Sequence, residues 1–229
     1  MKRQDLYFAI VMLAIFMPFV FSKELYAWYK EFNTDHAMIM AFMKFGILAT
    51  LGEMLGCRIS TGKYTTPTFG VMPRMVVWGL LGMAISMAMT VFAAGIPKFI
   101  ESMGGADLVA DFGKEGLSIG KFVVALSISV MMNTFFAPVF MTFHKITDAH
   151  IAEQGGSLKA LVTPIPMCRL LKGINWDVQW GFIFKKTIPL FWYPAHTITF
   201  MLPGEMRVLF AALLGVALGV ILAIGLKKK

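Results

Sequence analysis

The chain has 229 residues, 58% of them hydrophobic and only 15% charged, with a formal net charge of +8 and a mean hydropathy of +0.72. A soluble domain has about a quarter of its residues charged, so the composition argues against a water-soluble enzyme or binding module and for a membrane protein. The basic residues are spread through loops and ends, with no basic stretch interleaved with aromatics, so the charge reads as membrane orientation and no nucleic-acid partner is expected.

A spanning helix needs about 20 residues, which leaves room for about six helices, short loops and no large soluble domain. The predicted class is an all-α integral membrane protein, one transmembrane helical domain over residues 1–229. The first apolar segment is 6–21, after Lys2 and Arg3. The following FVFSKE offers no small-residue cleavage site, so the segment is a span rather than a signal peptide. Pro18 should kink or end it. The second span is 37–55 and contains Lys44 and Glu53, each costing about 2.5–3.5 kcal/mol at a helix centre. The third, 75–96, is bounded by Pro73-Arg74 and Pro97-Lys98. The next loop carries Glu101, Asp107, Asp111 and Glu115 and reads as polar and outer.

The fourth span is 117–143, broken late by Pro138 and carrying Ser127, Ser129 and Asn133 at mid-bilayer depth, with Lys121 snorkelling at its start. Residues 144–180 form the longest loop, cytoplasmic or lying at the interface. Its Trp176 and Trp180 beside basic residues suit the headgroup level, and a loop packed across helix ends is the alternative. The fifth span, 181–202, is interrupted by Pro189 and Pro194. The sixth, 208–226, is charge-free and leads into Lys227, Lys228 and Lys229. Gly52 with Gly56, and Gly215 with Gly219, have the small-residue spacing that lets helix backbones pack closely, within the chain or in a homo-oligomer.

With both termini inside, twelve Lys and Arg residues fall on inner segments and four on outer ones. The positive-inside rule predicts that sign of asymmetry. The expected location is a bacterial inner (plasma) membrane with cytoplasmic N- and C-termini, the lipid bilayer being the first partner.

Catalytic motifs are absent. Gly104-Gly105 and Gly155-Gly156 lack the residues of a phosphate loop, and no nucleophile elbow appears. Cys57 and Cys168 have no metal or redox spacing and read as free thiols. His36, His144, His150 and His196 fall mostly in loops, with no pair at metal spacing, so no metal or cofactor is expected. The cluster Met38, Met40, Met43 could hold copper(I), but Met is scattered through every span and reads as gap-filler.

The polar residues inside the spans are the candidates for a solute pathway: Lys44, Glu53, Asn133, His196, Thr199 and Arg207. At 3.6 residues per turn, Lys44 and Glu53 point to opposite faces of one helix, so each needs a partner elsewhere or water. Glu53 can also sit at the inner boundary near Arg58. His196, Thr197 and Thr199 follow Pro194, whose missing N–H frees a carbonyl, so they either satisfy that break or form a constriction. Arg207 is a headgroup anchor or a fixed charge at a mouth. No nucleotide motif couples the chain to hydrolysis, and no inverted repeat suggests alternating access.

In the last fifty-five or so residues, Trp176, Trp180, Trp192, Pro194, Phe200, Pro203 and Arg207 form a pattern that resembles the Mpv-seventeen/peroxisomal-membrane-protein-twenty-two family of small polytopic membrane proteins, as a distant prokaryotic relative. Tyr193 separates Trp192 from Pro194 where the family tends to have them adjacent, and Thr199 stands where it usually has Asn. The resemblance implies a helical bundle with a role in permeation of small solutes or ions. The expected function is a passive channel or permeation pathway for small solutes or ions; the alternative is a structural or partner-binding membrane protein without transport.

Overall fold

The computed structural model describes residues 3–114 and 116–227, with side chains as far as Gly219. Lys2, Glu115, Lys228, Lys229 and the side chain of Lys227, used in the loop and charge readings, lie outside the described residues. Every regular element among the described residues is helical.

Residues Met1–Met40 form one compact unit and Ala41–Lys229 another. In the first, α1 (Arg3–Phe21) and α2 (Lys23–Asp35) make a helical hairpin. Pro18 lies within α1; the carbonyl of Pro18 still accepts the Ser22 N–H at 3.0 Å, and the helix stops there. Ser22 then caps α2 by accepting from Leu25 N–H, and Phe19 meets Tyr29 edge-on with centroids 5.3 Å apart. No residue of α1 is buried.

α3 (Ala37–Thr61) runs from the first unit into the second, where α4 (Val71–Ser102), α5 (Ala106–Val109) and α6 (Ile119–Glu153) follow. α1, α3, α4 and α6 are long and apolar enough to cross a membrane. α4 runs through Pro97 to Ser102, past the expected end of the third span at 96. α6 is longer than predicted at its C-terminal end: it passes Pro138 and continues to Glu153. Thr142 Oγ1 donates to the Pro138 carbonyl at 2.7 Å, and the sequence beyond Phe143 has no Gly or Pro until Gly155, so nothing stops the helix. His144 and His150 are therefore on a helix, not in a loop, and His196 is helical too.

The 144–180 segment is thus shared between the end of α6, a short 3₁₀ turn at Leu158–Leu161, α7 (Met167–Lys172) and α8 (Trp176–Val178). The turn packs against α4 and α7 against α6, His150 Nε2 lies 3.2 Å from the Ala160 carbonyl, and Arg169 makes a bidentate bond to Glu153 at 2.7 and 2.6 Å. α8 leads into a wide helix with π spacing, Gln179–Trp192, and then α9 (Tyr193–Met201), so helical winding persists through both prolines. The Tyr193 N–H bonds the Ile188 carbonyl, five residues back. α10 (Gly204–Lys227) ends the described chain.

Glycine sets how closely the helices of the second unit approach. A Cβ on Gly46 would lie 2.8 Å from the Met75 carbonyl, and Gly79 and Gly82 receive the rings of Phe42 and Phe45. A Cβ on Gly52 would stand 2.9 Å from Val216 Cα, and Gly56 faces Gly219. Gly52, Gly56 and Gly219 thus pack α3 on α10 within the chain, whereas a Cβ on Gly215 would meet nothing within 4 Å.

Candidate functional site

The close crossing of α3 and α4 brings Glu53 beside Arg74, and α6 adds His144 and Asp148, one turn apart and so on one face. Arg74 Nη1 bonds Glu53 Oε2, and also Asp148 Oδ1 at 2.5 Å. His144 Nε2 lies 3.0 Å from Glu53 Oε1 and 3.6 Å from Asp148 Oδ1. These side chains are 12–22% exposed. The arginine is fixed from behind: its Nε donates to the Phe69 carbonyl at 2.6 Å, and its guanidinium sits over the Phe69 ring at 4.6 Å. The turn holding Phe69 is itself pressed against the end of α6. Gly70 and Gly156 both take positive φ, and a Cβ on either would fall within 2.8 Å of the other's backbone. Trp78 packs its ring on His144, centroids 4.3 Å apart.

Glu53, His144 and Asp148 present ligand-type atoms within 4.8 Å of one another. The guanidinium of Arg74 already bonds both carboxylates, so the protein supplies the compensating positive charge from its own chain.

Glu53 and His144 also border a cavity of about 470 Å³ within the second unit. Its walls are mostly apolar and aromatic, with Phe45, Trp78, Phe136, Phe140 and Trp192 among them, and α10 contributes Ala211 and Gly215. Asn133 and His144 both line it from α6, about 16 Å apart along the helix on a rise of 1.5 Å per residue. At the Asn133 end is a second polar group. Asn133 Nδ2 donates to the Ser129 carbonyl at 2.8 Å, and His196 Nδ1 lies 2.9 Å from Asn133 Nδ2 and 3.1 Å from its Oδ1. Only an amide NH₂ suits that carbonyl, so the carbonyl sets the orientation of the Asn133 amide. Ser129 Oγ donates to the Tyr193 carbonyl at 2.8 Å and Thr197 Oγ1 to the same atom at 2.7 Å.

Of the six residues singled out from sequence, Glu53, Asn133 and His196 border the chamber. Lys44 is buried elsewhere in the bundle. Thr199 is fully buried and donates to the Ala195 carbonyl at 2.9 Å. Arg207 is a cap: its Nε and Nη2 donate to the carbonyls of Leu202 and Phe200, both at 3.1 Å, which closes the end of α9. Within the Trp-Pro-aromatic-Pro-Arg pattern, Trp192 packs on His196 with centroids 4.9 Å apart, Phe200 is fully buried, and Arg207 bonds the Phe200 carbonyl. Pro194 opens α9 and Pro203 lies between α9 and α10. Trp176 and Trp180 are exposed.

Sequence reasoning missed Arg74, His144, Asp148, Trp78 and Gln179. It offered Arg58 only as a neighbour of Glu53 at the inner boundary; Arg58 bonds the Gly62 carbonyl at 2.5 Å. The available signal was His144 and Asp148 at i, i+4 on an uninterrupted helical continuation of the fourth span.

The fold and the chamber define a class: an all-α protein with, among the described residues, four helices long and apolar enough to cross a membrane. No family model, curated protein or solved structure matches the chain.

Proposed function

We propose that the protein is an integral membrane protein of six spanning helices that offers small neutral solutes a passive pathway, with the chamber as its central compartment. The four long apolar helices supply four spans; the continuous stretch from Trp176 to Met201 is the fifth and α10 the sixth. The observation carrying the reading is that Glu53, Asn133 and His196, from three separate helices, border one cavity of about 470 Å³, within the range of about 300–1,000 Å³ typical of small-molecule sites. Large apolar side chains exposed outside the bundle, such as Leu80, Phe135, Val139 and Leu190, support a lipid-facing surface. The apolar walls favour neutral solutes over ions, because a charge stripped of water needs a partner, and Glu53 is already bonded by Arg74. The cation distribution supports cytoplasmic termini in a bacterial plasma membrane. The likeness of the C-terminal quarter to the Mpv-seventeen family adds a fold-level analogy to the permeation reading.

The test is flux of urea, glycerol and acetone into liposomes holding the purified protein, beside Gly215→Phe. That position lines the chamber and has open space at its Cβ, so the ring enters the cavity without meeting backbone. Flux well above that of protein-free liposomes, returned to background by Gly215→Phe with unchanged melting, supports the pathway. Flux untouched by the variant moves the pathway out of the chamber. No flux of any solute sinks the transport reading in favour of a partner-binding role.

A further inference from the structure

Away from the chamber, the second half of α6 borders an apolar groove of about 400 Å³ within the second unit, closed on its other sides by α7, α8 and the wide helix. Val139, Phe143, Leu171 and Trp176 line it and are exposed, and Phe184 completes the wall. Its one hydroxyl, that of Thr142, already donates to the Pro138 carbonyl at 2.7 Å, so the walls offer hydrocarbon, rings and sulfur. The rim is cationic. Leu171 is followed by Lys172 and Phe184 by Lys185 and Lys186, all three exposed. Consecutive Cα atoms are about 3.8 Å apart, so Lys172 and Lys185 each start beside a wall residue. Lys172 also stands one turn after Cys168, on the face of α7 that lines the groove. Among the described residues none of the three lysines is in an ion pair. Arg169 and Glu153 cancel each other in their bidentate bond, and Asp177 is the one carboxylate on α7, α8 and the wide helix. Three ammonium groups against one carboxylate leave the rim two charges positive. With both termini inside, this end of α6 is at the cytoplasmic leaflet, where anionic headgroups concentrate, and Trp176 suits the headgroup level.

We propose that this groove is a binding site for an anionic phospholipid of the cytoplasmic leaflet, one acyl chain lying against α6 and the headgroup phosphate met by Lys172, Lys185 and Lys186. This rests on the bilayer reading above but not on the chamber or on passage of a solute. Tryptophan quenching tests it, with the full chain in phosphatidylcholine vesicles that carry a small share of lipid brominated along its acyl chains. The brominated lipid is phosphatidylglycerol in one series and phosphatidylcholine in the other. Subtracting the signal of Trp176→Phe isolates Trp176 in the groove. Subtracting that of Trp28→Phe isolates an exposed tryptophan on α2, which contributes nothing to the groove. Half-maximal quenching of Trp176 should need about 25-fold less brominated phosphatidylglycerol than phosphatidylcholine, two net charges at about fivefold each, while Trp28 shows no such preference. Lys172→Gln should cut the preference about fivefold. Cys168→Phe, which puts a ring into the groove and keeps every lysine, should remove it.

Equal quenching of Trp176 by the two lipids, or the same preference at Trp28, would overturn the site and leave only ordinary contact with the bilayer. A preference that survives Cys168→Phe with unchanged melting would overturn it too, since surface charge alone would then attract the lipid. Quenching of Trp28 but not of Trp176 would mean that protein, such as a second copy of the chain, covers the groove. Quenching of neither would overturn the bilayer reading along with the site. The comparison of Trp176 with Trp28 decides the matter even where Cys168→Phe or Lys172→Gln fails to fold.

Discussion

Replacing Arg74 with Met removes the one cation that bonds both Glu53 and Asp148, while keeping an unbranched side chain of similar reach. The three side chains are 12%, 20% and 22% exposed, so the loss falls nearer the buried regime than the surface one. Breaking a buried ion pair from one side costs about 3–5 kcal/mol, because the partner charge is stranded. Two carboxylates share the guanidinium here, and His144 lies 3.0 Å from Glu53 and 3.6 Å from Asp148 as the remaining compensating group. For a chain of this length, about 2–4 °C of melting temperature corresponds to each kcal/mol, so Arg74→Met should melt roughly 6–20 °C below wild type. Adding Glu53→Gln to Arg74→Met strands one carboxylate fewer and should recover about 1–3 kcal/mol, the coupling expected of residues in one network. Tryptophan fluorescence during thermal unfolding in detergent reports this directly, since Trp78 packs on His144. A drop of less than about 1 kcal/mol, the size of an exposed ion pair, would refute the reasoning. So would a double variant no more stable than the sum of the two single losses.

Gly52→Leu should destabilise by about 1–3 kcal/mol through overpacking, since even a Cβ there lies 2.9 Å from Val216 Cα, whereas Gly56→Ala, with 3.5 Å of room, should melt within 0.5 kcal/mol or so of wild type; melting curves of the two variants check the contrast. Arg207→Ala should lower stability by about 1–3 kcal/mol by leaving the Leu202 and Phe200 carbonyls unbonded, yet leave solute flux per folded molecule unchanged, and a loss of flux with intact melting would return Arg207 to the pathway. Arg169→Ala breaks an exposed bidentate pair with Glu153 and should shift stability by less than about 1 kcal/mol. In the loop before α6, a hydrogen bond from Lys114, then one from Ser118, holds the Asp111 carboxyl below its ordinary value of 3.8. A lowered carboxyl stabilises above pH 3.8 and loses that contribution as the pH falls through the lowered value, so Asp111→Asn should flatten that acid portion of the stability-against-pH curve, and an unchanged profile would count against the contact.

The all-helical class and the long apolar helices are legible in the linear chain. Composition and apolar run lengths need no tertiary information, because a helix satisfies its own backbone. The small-residue spacing of Gly52 with Gly56 and of Gly215 with Gly219 is also local; in the structure Gly52, Gly56 and Gly219 lie between α3 and α10, while a Cβ on Gly215 would meet nothing within 4 Å. Candidate residues fared unevenly for a physical reason. Glu53, Asn133 and His196 stand out because each is polar in an apolar run, and all three border the chamber. Arg207 and Thr199 stand out for the same reason, yet they serve the backbone: one closes the end of α9, the other bonds a carbonyl one turn back.

What only the tertiary structure decided is who meets whom. Arg74 reads in sequence as an ordinary boundary cation, and His144 and Asp148 as loop residues beyond the fourth span. Their convergence on Glu53 depends on α6 running on to Glu153 and on α3 and α4 touching through Gly46, Gly79 and Gly82. The chamber likewise depends on side chains from α3, α4, α6, α10 and the Trp176–Met201 stretch. Hydrophobic periodicity specifies that such helices bury a face, but helix packing angles and the gap left between them arise from side-chain shapes far apart in sequence. Local chemistry therefore determined what this chain is made of, and the long-range packing of its helices decided where its polar groups act.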